Sequence, residues 1–428
     1  MEERRAILHV DMNAFYASCH AAAQPEAYRG KPIAVAGSPE TRHGIVVTAS
    51  YEARRRGVRT TMNVAQARRL CPDLILIEPD FELYRNYARK VFDVVRRFTP
   101  LVEIVSIDEC YADVTGSRQF GSASEIAHTI QSTLRDELQL PCSIGVSYTK
   151  FFAKMGSNLH KPMGITEITE DNFQDLIWPL PIEEMHGVGE KSAIRLEQMG
   201  IRTIGSLAVA DRRRLHTALG TRGLELRDFA NGLDSRPVTA ERPPVKSVGH
   251  SITLPSDTAD PAVWARTLLN LSDQVGRRLR KEGKLGRVVT LAIRDHRMNT
   301  ITRRHTLDAA TNLTEDIYRE AIKLLQSNWQ PNRPIRLLGV TTSNLTDASD
   351  TPAGIVQRSL FDDNSEVTAF RRKAKLQKLT EVTDAIRNRY GENSVIRGRM
   401  LEHDSSNALR NHTSRGTSLQ KDKLYEDD

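Results

Sequence analysis

The chain runs to 428 residues, enough for several domains that each bury a core. Its 61 Lys and Arg against 54 Asp and Glu leave +7, which favours polyanionic partners. Cys19, Cys71, Cys110 and Cys142 lack both the paired spacing of a zinc site and the density of a disulfide scaffold, so a reducing cytoplasm is expected. Residues 1–5 lead into an apolar stretch too short for a signal peptide, and no later run is long enough to span a bilayer.

In chain order, residues 6–10 read as a buried strand ending at Asp11, followed by a helix over 14–23. Strands are predicted at 33–36, 45–48, 103–107, 111–114 and 143–147, with helices at 84–98 and 124–138, which makes an α+β domain through about residue 166. Short helices punctuated by glycines fill 173–233. A proline-containing stretch, 235–245, reads as an extended tether. Strands at 247–253, 287–294, 300–307 and 335–343 then alternate with helices at 262–282 and 313–327, a second, smaller α+β domain. Residues 243–344 carry 16 Lys and Arg against 9 Asp and Glu, the whole excess of the chain. A helix is expected around 367–390 and disorder over 403–428, where the chain is polar and poor in aromatics.

The sharpest chemical feature is Ser106-Ile107-Asp108-Glu109, two adjacent carboxylates ending an apolar run, with Asp11 ending another strand. If the strands are neighbours, three hard oxygen donors converge as Mg²⁺ requires, and paired metals suit in-line phosphoryl displacement. Adjacent strand residues face opposite ways, so the pair shares a site only near a turn; an isolated Asp-Glu is more often a cap or surface pair. At Thr48-Ala49-Ser50-Tyr51-Glu52-Ala53-Arg54 a strand passes into a helix, where hydroxyls and an arginine suit a phosphate, although an ordinary helix start reads the same way. Lys161, before Pro162-Met163-Gly164, could neutralise a phosphate as a point charge. Phe15 and Tyr16 follow the first carboxylate, as core residues or as a floor under a sugar. Gly187-Val188-Gly189, with Lys191 opening the next helix, suits grip on a nucleic-acid backbone or a plain helical hairpin. Arg294, Arg297, Arg303 and Arg304 lie on or between two strands, so a hairpin could lay several along one groove of a duplex.

In this order the motifs resemble the Y-family DNA polymerases, and within them the bacterial DNA polymerase IV branch. Besides those above, the resemblance rests on Asp11 to Ser18, Gly57-Val58, Ala153-Lys154 and Gly232-Leu233-Asp234-Ser235-Arg236-Pro237-Val238. It implies an α+β multidomain right hand: palm over 1–24 and 79–166, a fingers insertion over 25–78, a helical thumb with a helix-hairpin-helix over 167–234, a linker over 235–246, a little finger over 247–346 and a tail over 347–428. Asp11 and Asp108 would hold two Mg²⁺ ions with help from the Met12 main-chain carbonyl, and Glu109 would complete the primer-side position. Tyr16, beside Phe15, would exclude ribonucleotides. Thr48, Tyr51, Arg54 and Lys161 would bind the triphosphate; Gly187, Gly189, Lys191 and the four arginines would bind DNA. Gln357, Leu360 and Phe361 resemble the peptide by which such polymerases dock on the sliding clamp, with Arg358 in place of the commoner leucine. Asn63 stands where the family usually has proline, and Cys110 where a small residue is commoner.

The implied activity is low-fidelity, template-directed addition of deoxynucleotides to a primer 3′-hydroxyl in translesion synthesis, by a cytoplasmic monomer. Its partners would be primer-template DNA, deoxynucleoside triphosphates and the sliding clamp, with no membrane. A nucleotide cyclase on a similar palm has no use for a basic second domain or a clamp peptide. A non-catalytic DNA-binding repair protein leaves the carboxylates and Arg54 without a role. A Y-family relative that depends on an accessory subunit is a third alternative, against which Lys161-Pro162-Met163-Gly164 favours the polymerase IV branch.

Overall fold

The computed structural model describes residues 5–37, 44–349 and 364–400, with side chains in the last stretch from 375 onward. Contacts divide the chain at Arg242/Pro243 into two compact units.

In the first unit the apolar amino-terminal run forms β1 (Ile7–Met12), every residue of it buried. Such burial on both faces fits a central strand covered on each side. After it come α1 (Phe15–Ala23), α2 (Pro25–Tyr28), β2 (Ile33–Ala36), β3 (Val46–Ala49), α3 (Tyr51–Arg55), α4 (Val64–Leu70) and β4 (Ile75–Ile77). Then follow α5 (Phe81–Arg96), β5 (Val102–Ile104), β6 (Glu109–Asp113), α6 (Ala123–Leu138), β7 (Cys142–Ser147), α7 (Lys150–Leu159) and β8 (Ile165–Ile168). The main sheet has the order β5-β6-β1-β7-β8, with β1 antiparallel to both neighbours. Helices α5 and α6 pack through Tyr84, Phe92, Ile126 and Ile130 into its main core. Strands β3-β2-β4 form a separate sheet closed by Ala53, Val58 and Ala67 from α3 and α4 and the turn between them.

Helix α5 begins three residues before the expected boundary because Asp80 accepts from the Glu82 and Leu83 N–H groups. Asn63, unusual for the family, has a comparable role: its side chain accepts from the Gln66 N–H and caps α4. Five short helices, α8 (Phe173–Ile177), α9 (Glu190–Gln198), α10 (Ile204–Ala208), α11 (Arg212–Leu219) and α12 (Thr221–Ala230), complete the unit. They share a core with Phe151, Phe152 and Met155 of α7.

The expected tether is not free over its first half. Val238 is buried, Arg236 is paired with Asp234, and the Thr239 N–H donates to Glu103 at 3.0 Å. Its proline composition predicts extended backbone but says nothing of the acceptor that Glu103 presents.

The second unit contains β9 (Ser247–Thr258), α13 (Pro261–Lys281), β10 (Lys284–Asp295), β11 (Thr300–Thr311), α14 (Thr314–Asn328), β12 (Ile335–Asp347) and α15 (Asn364–Tyr390). Its antiparallel sheet runs β11-β10-β12-β9. Leu268, Leu271 and Val275 of α13, with Ile317 and Ala321 of α14, bury one face of it. Helix α15 is 27 residues long, and its Arg387 pairs at 3.0 Å with Asp273 of α13, both almost fully buried. All four cysteines are buried and unpaired, and no helix among the described residues is long and apolar enough to cross a membrane.

Candidate active site

The two adjacent carboxylates meet because the strand expected over 103–107 stops early. Strand β5 ends at Ile104, residues 105–108 turn, and the Val105 and Ser106 N–H groups donate to the Glu109 carbonyl. Asp108 therefore lies in the turn while Glu109 opens β6, so the strict alternation of strand side chains does not part them. Pairing sets Asp11 directly opposite Glu109, and the Met12 N–H donates to the Asp108 carbonyl at 3.0 Å.

Helix α7 covers this end of the sheet. Gly145 on β7 and Gly156 on α7 allow the close approach: a Cβ built on Gly145 would lie 1.9 Å from the Ala153 carbonyl oxygen. Lys154 is thereby delivered between two carboxylates, with Nζ 3.0 Å from Asp11 Oδ2 and donating also to Glu109 Oε2. Lys161 donates to the other Asp11 oxygen at 2.7 Å. The side chains of Asp11 and Lys154 are each 12% exposed and that of Glu109 20%.

These neighbours set the electrostatics. Burial raises the Asp108 carboxyl, and the charges of Asp11 and Glu109 push it further up against the Ser106 hydroxyl, which donates to it at 2.5 Å. Burial also acts upward on Glu109, but His9 and Lys154 outweigh it and hold that carboxyl at about 2. Lys154 loses stability as a cation through burial, yet Asp11 and Glu109 raise its pKa overall. Among the described residues no three His, Cys, Asp or Glu side chains already form a metal cage. The donor set nonetheless fits a hard divalent ion: three carboxylates crowd one end of the sheet, and ammonium groups stand where a cation would neutralise them.

Beside the carboxylates opens a cavity of about 300 Å³, lined by Asp11, Met12, Phe15, Tyr16, Thr48, Tyr51, Arg54, Asp108 and Lys161 among others. Every residue expected to bind metal or triphosphate borders it except Glu109, which adjoins Asp11. Ser50 caps α3, of which Tyr51 and Arg54 line this space. Arg54 donates through Nε to the Ala49 carbonyl at 2.9 Å, with its guanidinium 4.8 Å from the Tyr51 ring centre. Tyr16 stacks on Tyr84 at 4.2 Å, which fixes its ring at the cavity wall, while Phe15 is buried behind it. Asn13 ties the strand end down: its amide donates to Ser143 and its oxygen accepts from the Met163 N–H. Cys110, the other unusual residue, is fully buried in the main core.

The expected nucleic-acid residues are more dispersed. Gly187 has φ +90°, a conformation that disfavours a side chain, and Gly189 opens α9, in whose first turn Lys191 is exposed. In the second unit, pairing of Arg294 with Thr300 and of Thr290 with Arg304 puts Arg294 and Arg304 on the sheet face away from the helices. Arg303 does not join them, contrary to the expectation of several arginines along one groove. Strand alternation turns it to the helix side, where it donates to Asn328 at 3.0 Å. Arg297 lies in the intervening turn. Small residues, Gly249, Ser251, Gly339, Thr341, Thr290 and Ala292, line the middle of the face away from the helices. Gln357, Leu360 and Phe361 lie outside the described residues.

Sequence patterns gave no role to Lys154, to His9, whose Nε2 lies 3.5 Å from Glu109, or to Ser157, whose hydroxyl lies 2.8 Å from His9 Nδ1. Spacing offered one signal: Lys154 and Ser157 are three apart on a helix, His9 and Asp11 two apart on a strand, so each pair shares a face.

Comparison with known proteins agrees with this geometry. The impB/mucB/samB family matches residues 10–158, the IMS family HHH motif 170–201, and the impB/mucB/samB family C-terminal domain 245–360. DNA polymerase IV of Bacillus velezensis is 41% identical over 419 residues, 98% of this chain and 97% of that protein. DNA polymerase IV 1 of Bacillus subtilis is 42% identical over 419 residues, with the same coverage, and DNA polymerase IV of Clostridium kluyveri is 40% identical over 93% of this chain and 98% of its own. A solved Y-family DNA polymerase chimera of Dbh and Dpo4 matches with a TM-score of 0.72 at 25% identity, covering 80% of this chain and 99% of that one. With three family stretches in sequence and likeness to DNA polymerase IV running almost end to end, the chain belongs to the Y-family, translesion DNA polymerases, in their DNA polymerase IV branch.

Proposed function

We propose that this DNA-directed DNA polymerase extends a primer at the cavity between Asp11 and Arg54, with Asp11, Asp108 and the Met12 carbonyl holding two Mg²⁺ ions and Glu109 completing the primer-side position. The observation that carries the reading is the convergence of Asp11, Asp108 and Glu109 at the mouth of a cavity lined by Thr48, Tyr51, Arg54 and Lys161. Members of this family depend on divalent metal, which when bound activates the 3′-hydroxyl and neutralises charge on the transferred phosphoryl group.

The chain's own residues do the rest. Arg54 offers its guanidinium to the triphosphate, held in place by the Ala49 carbonyl and the Tyr51 ring. Lys161, paired with Asp11, would reach a phosphate oxygen and leave that carboxylate for metal. Lys154, paired with Asp11 and Glu109, would give up both carboxylates where ions are bound. Tyr16, backed by Tyr84, meets the sugar where a ribonucleotide carries its 2′-hydroxyl. Palm (1–24, 79–166), fingers (25–78), thumb (167–234), linker (235–246) and little finger (247–346) then share the DNA. Gly187, Gly189 and Lys191 grip the backbone from the thumb, and Arg294, Arg304 and Arg297 from the little finger. The enzyme works as a cytoplasmic monomer, with Gln357, Leu360 and Phe361 docking in an apolar pocket of the sliding clamp.

The test is extension of a labelled primer on a template with Mg²⁺ and four deoxynucleotides, comparing the intact chain with Asp108→Asn plus Glu109→Gln. Extension by the intact chain alone is expected; equal extension by both would refute the site, and extension by neither would leave a non-catalytic DNA-binding protein.

A further inference from the structure

His9 has no part in the reading above, yet it lies on β1 two residues before Asp11, fully buried against α7 and edge-on to Tyr111 at 4.7 Å. Its Nδ1 lies 2.8 Å from Ser157 Oγ. Its Nε2 points at Glu109 Oε2 from 3.5 Å, too long for a full hydrogen bond, and is a buried nitrogen without a hydrogen-bond partner among the described residues.

Glu109 Oε2 already accepts from Lys154, so an Nε2 lone pair facing it would set two acceptors together in a buried place, whereas Nε2–H makes the contact attractive. Ser157 Oγ, 2.8 Å from Nδ1 and 2.9 Å from the Lys154 carbonyl, fixes the other side of the ring.

The other carboxylates have their own restraints: Ser106 on Asp108, and two lysines on Asp11. Glu109 has the longer side chain and is held by Lys154, which must withdraw before a cation binds, and by His9. We propose that His9, oriented by Ser157, is a positioning residue that aims the Glu109 carboxylate at the primer-side cation once Lys154 has left it. The inference rests on the assignment of Glu109 as a ligand in the preceding section. Outer groups that orient a metal ligand typically change metal affinity by about 10- to 100-fold when removed.

The test measures Mn²⁺ binding by electron paramagnetic resonance in a complex of the full chain, primer-template DNA with an intact 3′-hydroxyl and a non-hydrolysable deoxynucleotide analogue. His9→Leu weakens the weaker of the two Mn²⁺ ions by about tenfold or more. His9→Gln, whose amide N–H reaches toward Glu109, recovers most of the loss, and Ser157→Ala falls between. In single-turnover kinetics the His9→Leu defect lies in the rate constant, with the deoxynucleotide KM unchanged. Wild-type Mn²⁺ binding by His9→Leu overturns the proposal, as does a Gln variant as weak as Leu, which would make His9 a packing residue. Glu109→Gln separates the two levels. If it loses the weaker ion and His9→Leu does not, only the role of His9 fails; if it keeps both ions, the ligand assignment fails and the role of His9 with it.

Discussion

Lys154 offers the most direct physical test of the metal site, because its ammonium occupies the ground a cation must take. In Lys154→Met the charge goes while the length of the side chain stays. Removing one partner of a buried ion pair costs about 3–5 kcal/mol. Here Asp11 and Glu109 retain 12% and 20% exposure, and Asp11 keeps Lys161. Solvent and the second lysine reduce the loss to about 1–3 kcal/mol in metal-free protein. For a unit of this size each kcal/mol moves Tm by roughly 2–4 °C, so a fall of about 2–12 °C is expected in EDTA. Added Mg²⁺ offsets this loss, since in the variant no ammonium competes for the carboxylates, and the ion stabilises whichever state binds it. The gap between the two proteins therefore narrows or closes with Mg²⁺. Thermal melts of both proteins in EDTA and across a Mg²⁺ titration measure this. Equal melting in EDTA, or a gap that Mg²⁺ leaves unchanged, would refute the view that Lys154 holds the place of a metal.

Four further outcomes follow. Tyr16→Ala admits ribonucleotides while sparing deoxynucleotide addition, checked by single-nucleotide incorporation of each kind; unchanged sugar selectivity would show that Tyr16 is not the barrier. Arg304→Ala weakens binding to duplex DNA and lowers the slope of log affinity against log salt by about 1, whereas Arg303→Ala, already engaged with Asn328, changes the slope less. In metal-free protein the Glu109 carboxyl is depressed from 4.5 to about 2, so its stabilising contribution is complete above pH 4.5 and is lost as pH falls towards 2. Urea titrations in EDTA at pH 5 and pH 3 should accordingly show a smaller loss for Glu109→Gln than for the intact chain. Leu360→Ala with Phe361→Ala weakens binding to the sliding clamp and leaves clamp-free extension intact; equal losses in both assays would count against the peptide.

Much of the architecture was legible in the chain because it is written in local periodicity. The apolar run before Asp11 reads as a buried strand, the long helices α5, α13 and α14 follow the 3.6-residue pattern, and the basic excess of 243–344 marked the second unit as the one suited to polyanions. Residue types and their order also implied the carboxylates, Arg54 and Lys161, and of these Asp11, Asp108, Arg54 and Lys161 do border one cavity. The tertiary structure decided what depends on register and approach. Asp108 and Glu109 share a site because a turn begins at residue 105, one strand alternation separates Arg303 from Arg304, and Glu103 holds part of the expected tether. Lys154, Ser157 and His9 come together because two glycines let α7 settle on the sheet. Such contacts join residues nearly 150 positions apart, and no pattern of neighbours along a chain encodes a distance of that kind.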